Sequence, residues 1–263
     1  MFDLQAHRGG AGLAPENTLA AFANALELGV TTLECDVHIT SDGIPVLSHE
    51  RTYAGRVIPL HTAAELAPVP TLRDLAELLT AQRADEVGLN VETKFDVLHP
   101  DESDPRERFV DTVLAVLRET DLLDRTSIQS FDWAALRLVR AAEPRLRLNA
   151  ITNTDYLQLN RPGASPWLAG LDIDDFDGSI PAAVTTLGFD AISPSHTILT
   201  PAMVVEAHEA GLRVLPYTVD AADTMRWLIE IGVDGMITNR PDVLRSVLAE
   251  MDVPLPRSYP RIA

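Results

Sequence analysis

The chain has 263 residues, 46% hydrophobic and 23% charged, with a formal net charge of -18. These proportions are globular, and no run approaches the roughly 18 apolar residues of a membrane span, so stable membrane insertion is not expected. The acidic balance argues against nucleic acid or an anionic membrane surface as partner, since both need clustered Lys and Arg. An anionic substrate would therefore have to be held by local cations. A histidine at position 7 leaves no room ahead of it for a secretory signal, which points to the cytoplasm. Cys35 is the single cysteine, so no intramolecular disulfide forms, and its place between two acids suits a small buried residue better than a nucleophile.

In chain order, residues 3 to 8 read as a strand, and the glycines of Arg8-Gly9-Gly10-Ala11-Gly12 free the backbone to turn closely around a ligand. A helix follows, with Pro15 and Glu16 at its start, Leu19, Phe22 and Leu26 at helical spacing, and Gly29 as its stop. Thr31 to Val37 is a β-branched strand, Ser41-Asp42-Gly43 a turn, and Ile44 to Ser48 an extended run ending at His49. Glu50 to Pro70 has no clear period and carries Pro59, Pro68 and Pro70, as a connecting excursion over a barrel mouth would.

Thr71 opens the next helix, with Leu72, Leu75, Leu78 and Leu79 on one face, and Val87 to Glu92 forms a strand that ends in Thr93-Lys94. An acidic loop around Pro100 to Glu107 leads into a helix ending near Glu119, a strand at Ser127 to Ser130, a helix from Asp132 to Ala142 and a strand at Leu146 to Ile151. Asn153 to Phe176 is a long aromatic loop, either a lid that shapes a pocket or packing. Three more strands follow at Asp190 to Ser193, Arg213 to Thr218 and Gly235 to Thr238, with helices around Val205, Trp227 and Val247. Eight alternating strand and helix units, with no sign of an antiparallel sheet, predict an α/β fold of the (β/α)8 TIM-type barrel class. It occupies residues 1–250 as one domain, with a tail at 251–263.

In such a barrel the active site lies at the strand C-terminal ends, where His7, Asp36, Glu92, Lys94 and Gln129 fall. Glu34 and Asp36 are two apart and share one face of their strand. With Glu92 they bring about three negative charges to one mouth, an arrangement relieved by a cation or by pairing with barrel arginines. All-oxygen ligation selects a hard ion, Mg²⁺ or Ca²⁺. His7 and His49 can divide acid and base roles. Arg8 offers a fork of donors to phosphate oxygens, and Lys94, the single lysine among 21 basic residues, a compact point charge. Glu16 and Asn17 read equally as a helix start or as part of the site.

His7-Arg8-Gly9, Pro15-Glu16-Asn17-Thr18, Glu34-Cys35-Asp36-Val37, Thr40-Ser41-Asp42-Gly43 and His49 together resemble the glycerophosphodiester phosphodiesterase family. The likeness continues through Val91-Glu92-Thr93-Lys94, Gln129-Ser130-Phe131, Tyr217-Thr218-Val219 and Thr238-Asn239-Arg240-Pro241. It implies a divalent-metal phosphodiesterase that splits a small-molecule glycerophosphodiester into glycerol 3-phosphate and an alcohol, by family analogy through a cyclic phosphate. Carried over by residue, Glu34, Asp36 and Glu92 match the metal ligands and His7 and His49 the acid and base. Arg8, Lys94, Gln129 and Tyr217 fall at the substrate. Glu50 stands where the family usually has Asp, and Tyr217 where it usually has Trp, so head-group fit is where this chain departs. Lysophospholipase D-type and phospholipase C-like activities stay open. A zinc amidohydrolase-type barrel lacks its His-x-His pair here, and a non-catalytic barrel would be expected to have lost part of the set.

Overall fold

The structure is a computed structural model that describes residues 1–100 and 105–260; part of the acidic loop expected at 100–107 and the last three residues of the tail fall outside the described residues. Eight parallel strands form the barrel wall: β1 (Asp3–Ala6), β2 (Thr32–Ile39), β6 (Gly88–Thr93), β7 (Thr126–Ser130), β8 (Arg147–Thr152), β9 (Ala191–Pro194), β10 (Arg213–Val214) and β11 (Gly235–Thr238). They pair in the order β10-β9-β8-β7-β6-β2-β1-β11. The seam between β10 and β11 is closed by backbone bonds from Asp234 to Val214, Ile237 to Pro216 and Val219 to Ile237, each 3.0 Å. Pro216 has no N–H to donate, which cuts the regular ladder of β10 at Val214 instead of Thr218 while its carbonyl still accepts across the seam.

Eight helices cover the wall: α1 (Leu19–Leu28), α3 (Leu72–Ala81), α4 (Arg106–Glu119), α5 (Trp133–Ala142), α7 (Ile180–Thr186), α8 (Pro201–Glu209), α9 (Ala222–Glu230) and α10 (Pro241–Glu250). Their starts are chemically marked. Thr71 and Asp74 form a reciprocal capping box on α3, and the Asp132 carboxylate accepts the Ala134 N–H of α5. Gly29, at φ 92°, ends α1 as expected. The start of α1 differs from expectation: Thr18 is its cap, so Pro15, Glu16 and Asn17 precede the helix and are available to the barrel mouth. After α10 the tail folds back, with the Tyr259 N–H donating to the Leu26 carbonyl at 2.8 Å.

Two further differences concern the connections. The run at Pro45–Leu47 (β3) is not a barrel strand but pairs antiparallel with β2, so the expectation of no antiparallel pairing is corrected. The barrel's eight strands do not count it. The excursion after it holds a small hairpin, β4 (Thr52–Tyr53) with β5 (Arg56–Val57), and a one-turn helix, α2 (Ala63–Leu66). These rest on a separate apolar cluster of Val46, Ile58, Leu66 and Val69, too small to announce itself as a sequence period. The long aromatic segment opens with a second one-turn helix, α6 (Thr154–Leu157), and buries Leu168 and Ile173 in the main core, so it is packed against the barrel.

Alternation along the strands sorts the side chains. Leu33, Cys35 and Val37 of β2, Leu89 and Val91 of β6 and Ile128 of β7 join the core cluster under the helices. Their alternate neighbours fill the inside of the barrel, and they are polar: Asp3, Gln5, Thr32, Glu34, Asn90, Ser127, Gln129 and Asn149 are all buried. Asn90 joins them. Its Nδ2 donates to Gln5 Oε1 at 2.8 Å and to Gln129 Oε1 at 2.7 Å, and its Oδ1 accepts from Ser127 Oγ at 3.0 Å and Asn149 Nδ2 at 3.2 Å. Both donors and both lone pairs of the amide are used. Among the described residues no helix is long and apolar enough to cross a membrane.

Replacing Asn90 with Leu strips a partner from three buried amides, Gln5, Gln129 and Asn149, and from the Ser127 hydroxyl, so Asn90→Leu is expected to lower unfolding free energy by about 3 kcal/mol or more. Urea denaturation followed by circular dichroism reads this directly; a loss within about 0.5 kcal/mol, the size of an ordinary surface change, would contradict the role given to the amide network.

Candidate active site

Strand register places the acids. Asp36 of β2 pairs with Glu92 of β6, and Glu92 with Gln129 of β7, while Glu34 lies one layer deeper opposite Asn90. Glu34, Asp36 and Glu92 are all buried and bring one carboxylate oxygen each within 4.8 Å of one another. His7 follows β1, Arg8 and Lys94 flank the acids, and His49 enters from the loop after β3. With Gln129, Phe131, Ile151, Tyr217, Thr218 and Ile237, these side chains and Glu92 line a cavity of about 140 Å³ at the C-terminal mouth.

Each acid is held differently. Glu34 accepts the Arg8 backbone N–H at 2.8 Å and Gln129 Nε2 at 2.9 Å. Asp36 Oδ2 accepts Asn17 Nδ2 at 2.9 Å, and the Asp36 N–H donates to Asn17 Oδ1 at 3.2 Å, so one amide clasps both the side chain and the backbone of Asp36. Arg8 Nε stands 3.0 Å from Asp36 Oδ2 but off the line of a hydrogen bond, and its Nη1 donates to Glu16 at 2.9 Å. Lys94 Nζ donates to Glu92 Oε1 at 2.9 Å and lies 3.6 Å from Asp36 Oδ1, a buried oxygen with no hydrogen-bond partner.

Electrostatics follow from this geometry. Burial, reinforced by Asp36 and Glu92, pushes the Glu34 carboxyl well above its ordinary range. Burial also raises Glu92, although Lys94 opposes it. For Asp36 burial acts upward too, but Lys94 and Arg8, with the Asn17 amide, overcome it and hold the group low. Three acids thus face two fixed cations. The remaining negative charge, the raised Glu34 and the orphaned Asp36 oxygen all fit a hard divalent cation bound by the trio.

The histidines differ as well. His7 is nearly enclosed, and burial followed by the neighbouring Arg8 charge lowers it to about 4; its Nδ1 lies 2.7 Å from Asn239 Oδ1 and its Nε2 4.0 Å from Glu34. His49 is a third exposed at the side chain, with Nδ1 2.8 Å from Glu50 Oε1. His38 of β2 sits behind it with Nε2 3.3 Å from the His49 carbonyl.

The expected residues therefore meet at one mouth, with two changes of emphasis. Gln129, expected at the substrate, has its amide committed to Glu34 and Asn90. The glycines expected to approach a ligand instead let the turn pack: a Cβ on Gly9 would come within 2.8 Å of Ala21 on α1, and one on Gly12 within 2.9 Å of the Asn239 carbonyl. Asn239 is not singled out as a site residue by the sequence, and Asn17, which reads equally as a helix start or as part of the site, stands in the site. The signal for Asn17 was present, since Thr18 alone suffices as the cap and leaves an adjacent Asn free, here at φ 53°. Tyr217 stands on the cavity wall, its hydroxyl donating to the Thr152 carbonyl at 3.1 Å and its ring edge-on to Phe131. Behind Phe131 stack Tyr156 and Trp167 of the long segment.

Residues 7–243 match the family model described as the glycerophosphoryl diester phosphodiesterase family. A glycerophosphodiester phosphodiesterase of Caldanaerobacter subterraneus subsp. tengcongensis is 27% identical over 91% of this chain and 94% of its own length. A crystal structure of a protein from Silicibacter pomeroyi, provisionally named a glycerophosphoryl diester phosphodiesterase, superposes with a TM-score of 0.82 at 30% identity, covering 96% of this chain and 95% of that one. An Oleispira antarctica phosphodiesterase, solved with its product sn-glycerol-3-phosphate, shares the fold at a TM-score of 0.74 and 23% identity over 94% of this chain and 96% of that one. With the buried acids at the barrel mouth and a match that spans nearly the whole chain, this protein belongs to the glycerophosphoryl diester phosphodiesterase family and is a phosphoric diester hydrolase.

Proposed function

We propose that the enzyme hydrolyses glycerophosphodiesters to glycerol 3-phosphate and an alcohol, with one divalent cation, Mg²⁺ or Ca²⁺, held by Glu34, Asp36 and Glu92. The observation that carries this reading is the buried carboxylate trio, spanning no more than 4.8 Å between its ligand oxygens, beneath a cavity walled by two histidines, an arginine and the sole lysine. When bound, the cation supplies Lewis-acid stabilisation of charge on the phosphoryl oxygens. The chain's own residues do the rest.

Arg8 donates from Nη1 to Glu16 and holds its Nε side against Asp36 as an ion pair, which orients the guanidinium and leaves Nη2 to donate to a phosphate oxygen. Lys94 adds charge on the Glu92 side of the cavity. Gln129 acts through Glu34 by holding its carboxylate, while Tyr217 and Phe131, with Ile151 and Ile237, give the carbon skeleton an apolar wall. The neighbouring glycerol hydroxyl attacks phosphorus and its proton passes to one imidazole. The ester P–O bond breaks, and the departing alkoxide takes a proton from the other imidazole. Water then opens the resulting cyclic phosphate with the two roles exchanged.

Chelation with EDTA is expected to abolish turnover of glycerophosphocholine, with Mg²⁺ or Ca²⁺ restoring it. Glu34→Gln, which keeps the shape and loses the charge, should resist that rescue, and undiminished activity in chelator would refute the cation assignment. His7→Ala and His49→Ala should each cost on the order of 100-fold or more in kcat while cation binding, followed by calorimetry, persists. A diester whose vicinal glycerol hydroxyl is methylated is expected to be inert. Normal turnover of that compound would rule out the cyclic route.

A further inference from the structure

The ring of His7 is not free to choose its proton arrangement, because a chain of hydrogen bonds that begins on the outer rim of the barrel ends on its Nδ1. The Arg240 N–H donates to Thr238 Oγ1 at 2.9 Å, so the Thr238 hydroxyl turns its own proton away, toward Asp220 Oδ1 at 3.0 Å. Asp220 Oδ1 also accepts the Asn239 backbone N–H at 2.8 Å, and Asp220 Oδ2 accepts Asn239 Nδ2 at 2.8 Å. Asp220 is thus a pure acceptor with three donors aimed at it. The Asn239 amide can meet it only through its NH₂ group, since the flipped amide would set a carbonyl oxygen against a carboxylate oxygen. Its carbonyl oxygen must then point the other way, and it does, 2.7 Å from His7 Nδ1. An amide oxygen only accepts, so Nδ1 must be the protonated nitrogen and Nε2 carries the lone pair.

We propose that Asp220 and Asn239 are positioning residues that lock His7 in its Nδ1–H tautomer, committing His7 Nε2 to accept the proton from the attacking hydroxyl and leaving His49 to protonate the departing alcohol. The inference rests on the reading of His7 and His49 as the acid–base pair. The proton balance is complete: the hydroxyl hydrogen moves to Nε2, Nδ1–H stays on Asn239 Oδ1, and the imidazolium formed is held by the same acceptor through the step. The relay meets the carboxylate trio through His7, whose Nε2 lies 4.0 Å from Glu34. Asp220 follows β10 and Asn239 follows β11, the two strands of the barrel seam, and β1 stands between β11 and the β2 strand that carries Glu34 and Asp36.

The relay can be inverted and restored. In Asp220→Asn, the new amide oxygen continues to accept from Thr238 and the Asn239 backbone, and its NH₂ is presented to Asn239. The Asn239 side chain then gains by flipping and offers NH₂ to His7 Nδ1, which favours the Nε2–H tautomer. In the exchange variant Asp220→Asn with Asn239→Asp, the NH₂ of residue 220 meets one carboxylate oxygen of residue 239 and the other is returned to His7.

The test is long-range ¹H–¹⁵N NMR on the full-length, ¹⁵N-histidine-labelled protein with Mg²⁺ present, the His7 ring being identified by its loss in His7→Gln, alongside kcat and KM on glycerophosphocholine. Wild type is expected to show a protonated Nδ1 and an unprotonated Nε2. Asp220→Asn is expected to shift His7 toward Nε2–H and to lower kcat on the order of 10- to 100-fold with KM within about twofold, and the exchange variant should recover both the tautomer and most of the rate. An unprotonated Nδ1 in wild type, or an Asp220→Asn protein with unaltered tautomer and rate, overturns the relay. A folded Asp220→Asn protein whose rate falls without a tautomer change, and which the exchange does not rescue, overturns it in favour of a purely structural role. If His7→Ala turns over at the wild-type rate, it is the catalytic reading of His7 that fails, and the tautomer measurements still judge the lock by themselves.

Discussion

Carboxylates a few ångströms apart in a dry interior repel by about 3 kcal/mol per pair even at an effective dielectric near 20, and burial adds to that cost. Glu34, Asp36 and Glu92 meet under those conditions, and much of the barrel mouth can be understood as an answer to their charge. Arg8 adopts a left-handed backbone at φ 54°, unusual for a side chain of its size, with its N–H on Glu34 and its guanidinium beside Asp36. Lys94, two residues beyond Glu92, returns its ammonium to that acid. Asn17 accepts a similar backbone conformation in order to clasp Asp36. These are the devices of a site whose charge is arranged for a further positive partner, because two monovalent cations leave three acids incompletely balanced.

The trio is held from below by an unusual barrel filling. TIM-type interiors are generally packed with layers of branched aliphatic side chains. Here Asn90, Gln5, Gln129, Ser127 and Asn149 form a hydrogen-bonded layer in which each amide's orientation is dictated by the next, so that Gln129 must present its NH₂ to Glu34. The aliphatic core lies instead between the wall and the helices. A buried amide network is rigid when fully satisfied and costly when broken, which suits a support for a carboxylate whose position matters more than the stability of the layer beneath it. The Asp220–Asn239 pair applies the same logic from the opposite side, with a carboxylate orienting an amide that meets the His7 ring.

Much of this was legible in the sequence because it depends on strand periodicity. Glu34 and Asp36 at a spacing of two, Glu92 and Lys94 at the same spacing on another strand, and histidines just past apolar runs project to one mouth in any parallel barrel. Capping chemistry located α3 at Thr71 and α5 at Asp132 for equally local reasons. What escaped depended on contacts remote in the chain. The run from Ile44 to Ser48 reads as extended, but its antiparallel pairing with β2 goes unseen because alternation gives a strand and not its partner. Asn239 is 232 positions from His7, and Asn90 is 85 from Gln5, so nothing near either asparagine marks it as a hydrogen-bond organiser. The glycines after Arg8 looked like a ligand cradle, but what comes close to them is the protein's own α1 and the start of α10.

The claim on which the rest turns is that the three carboxylates share one divalent cation. Diffraction from crystals soaked in Mn²⁺, a hard ion whose anomalous scattering identifies it, reads that claim without reference to turnover. The account predicts a single strong anomalous peak at roughly 2.0–2.4 Å from an oxygen of each of Glu34, Asp36 and Glu92, lost in Glu34→Gln crystals. A saturated soak with no peak between these three side chains, or with manganese bound only elsewhere on the acidic surface, would contradict it.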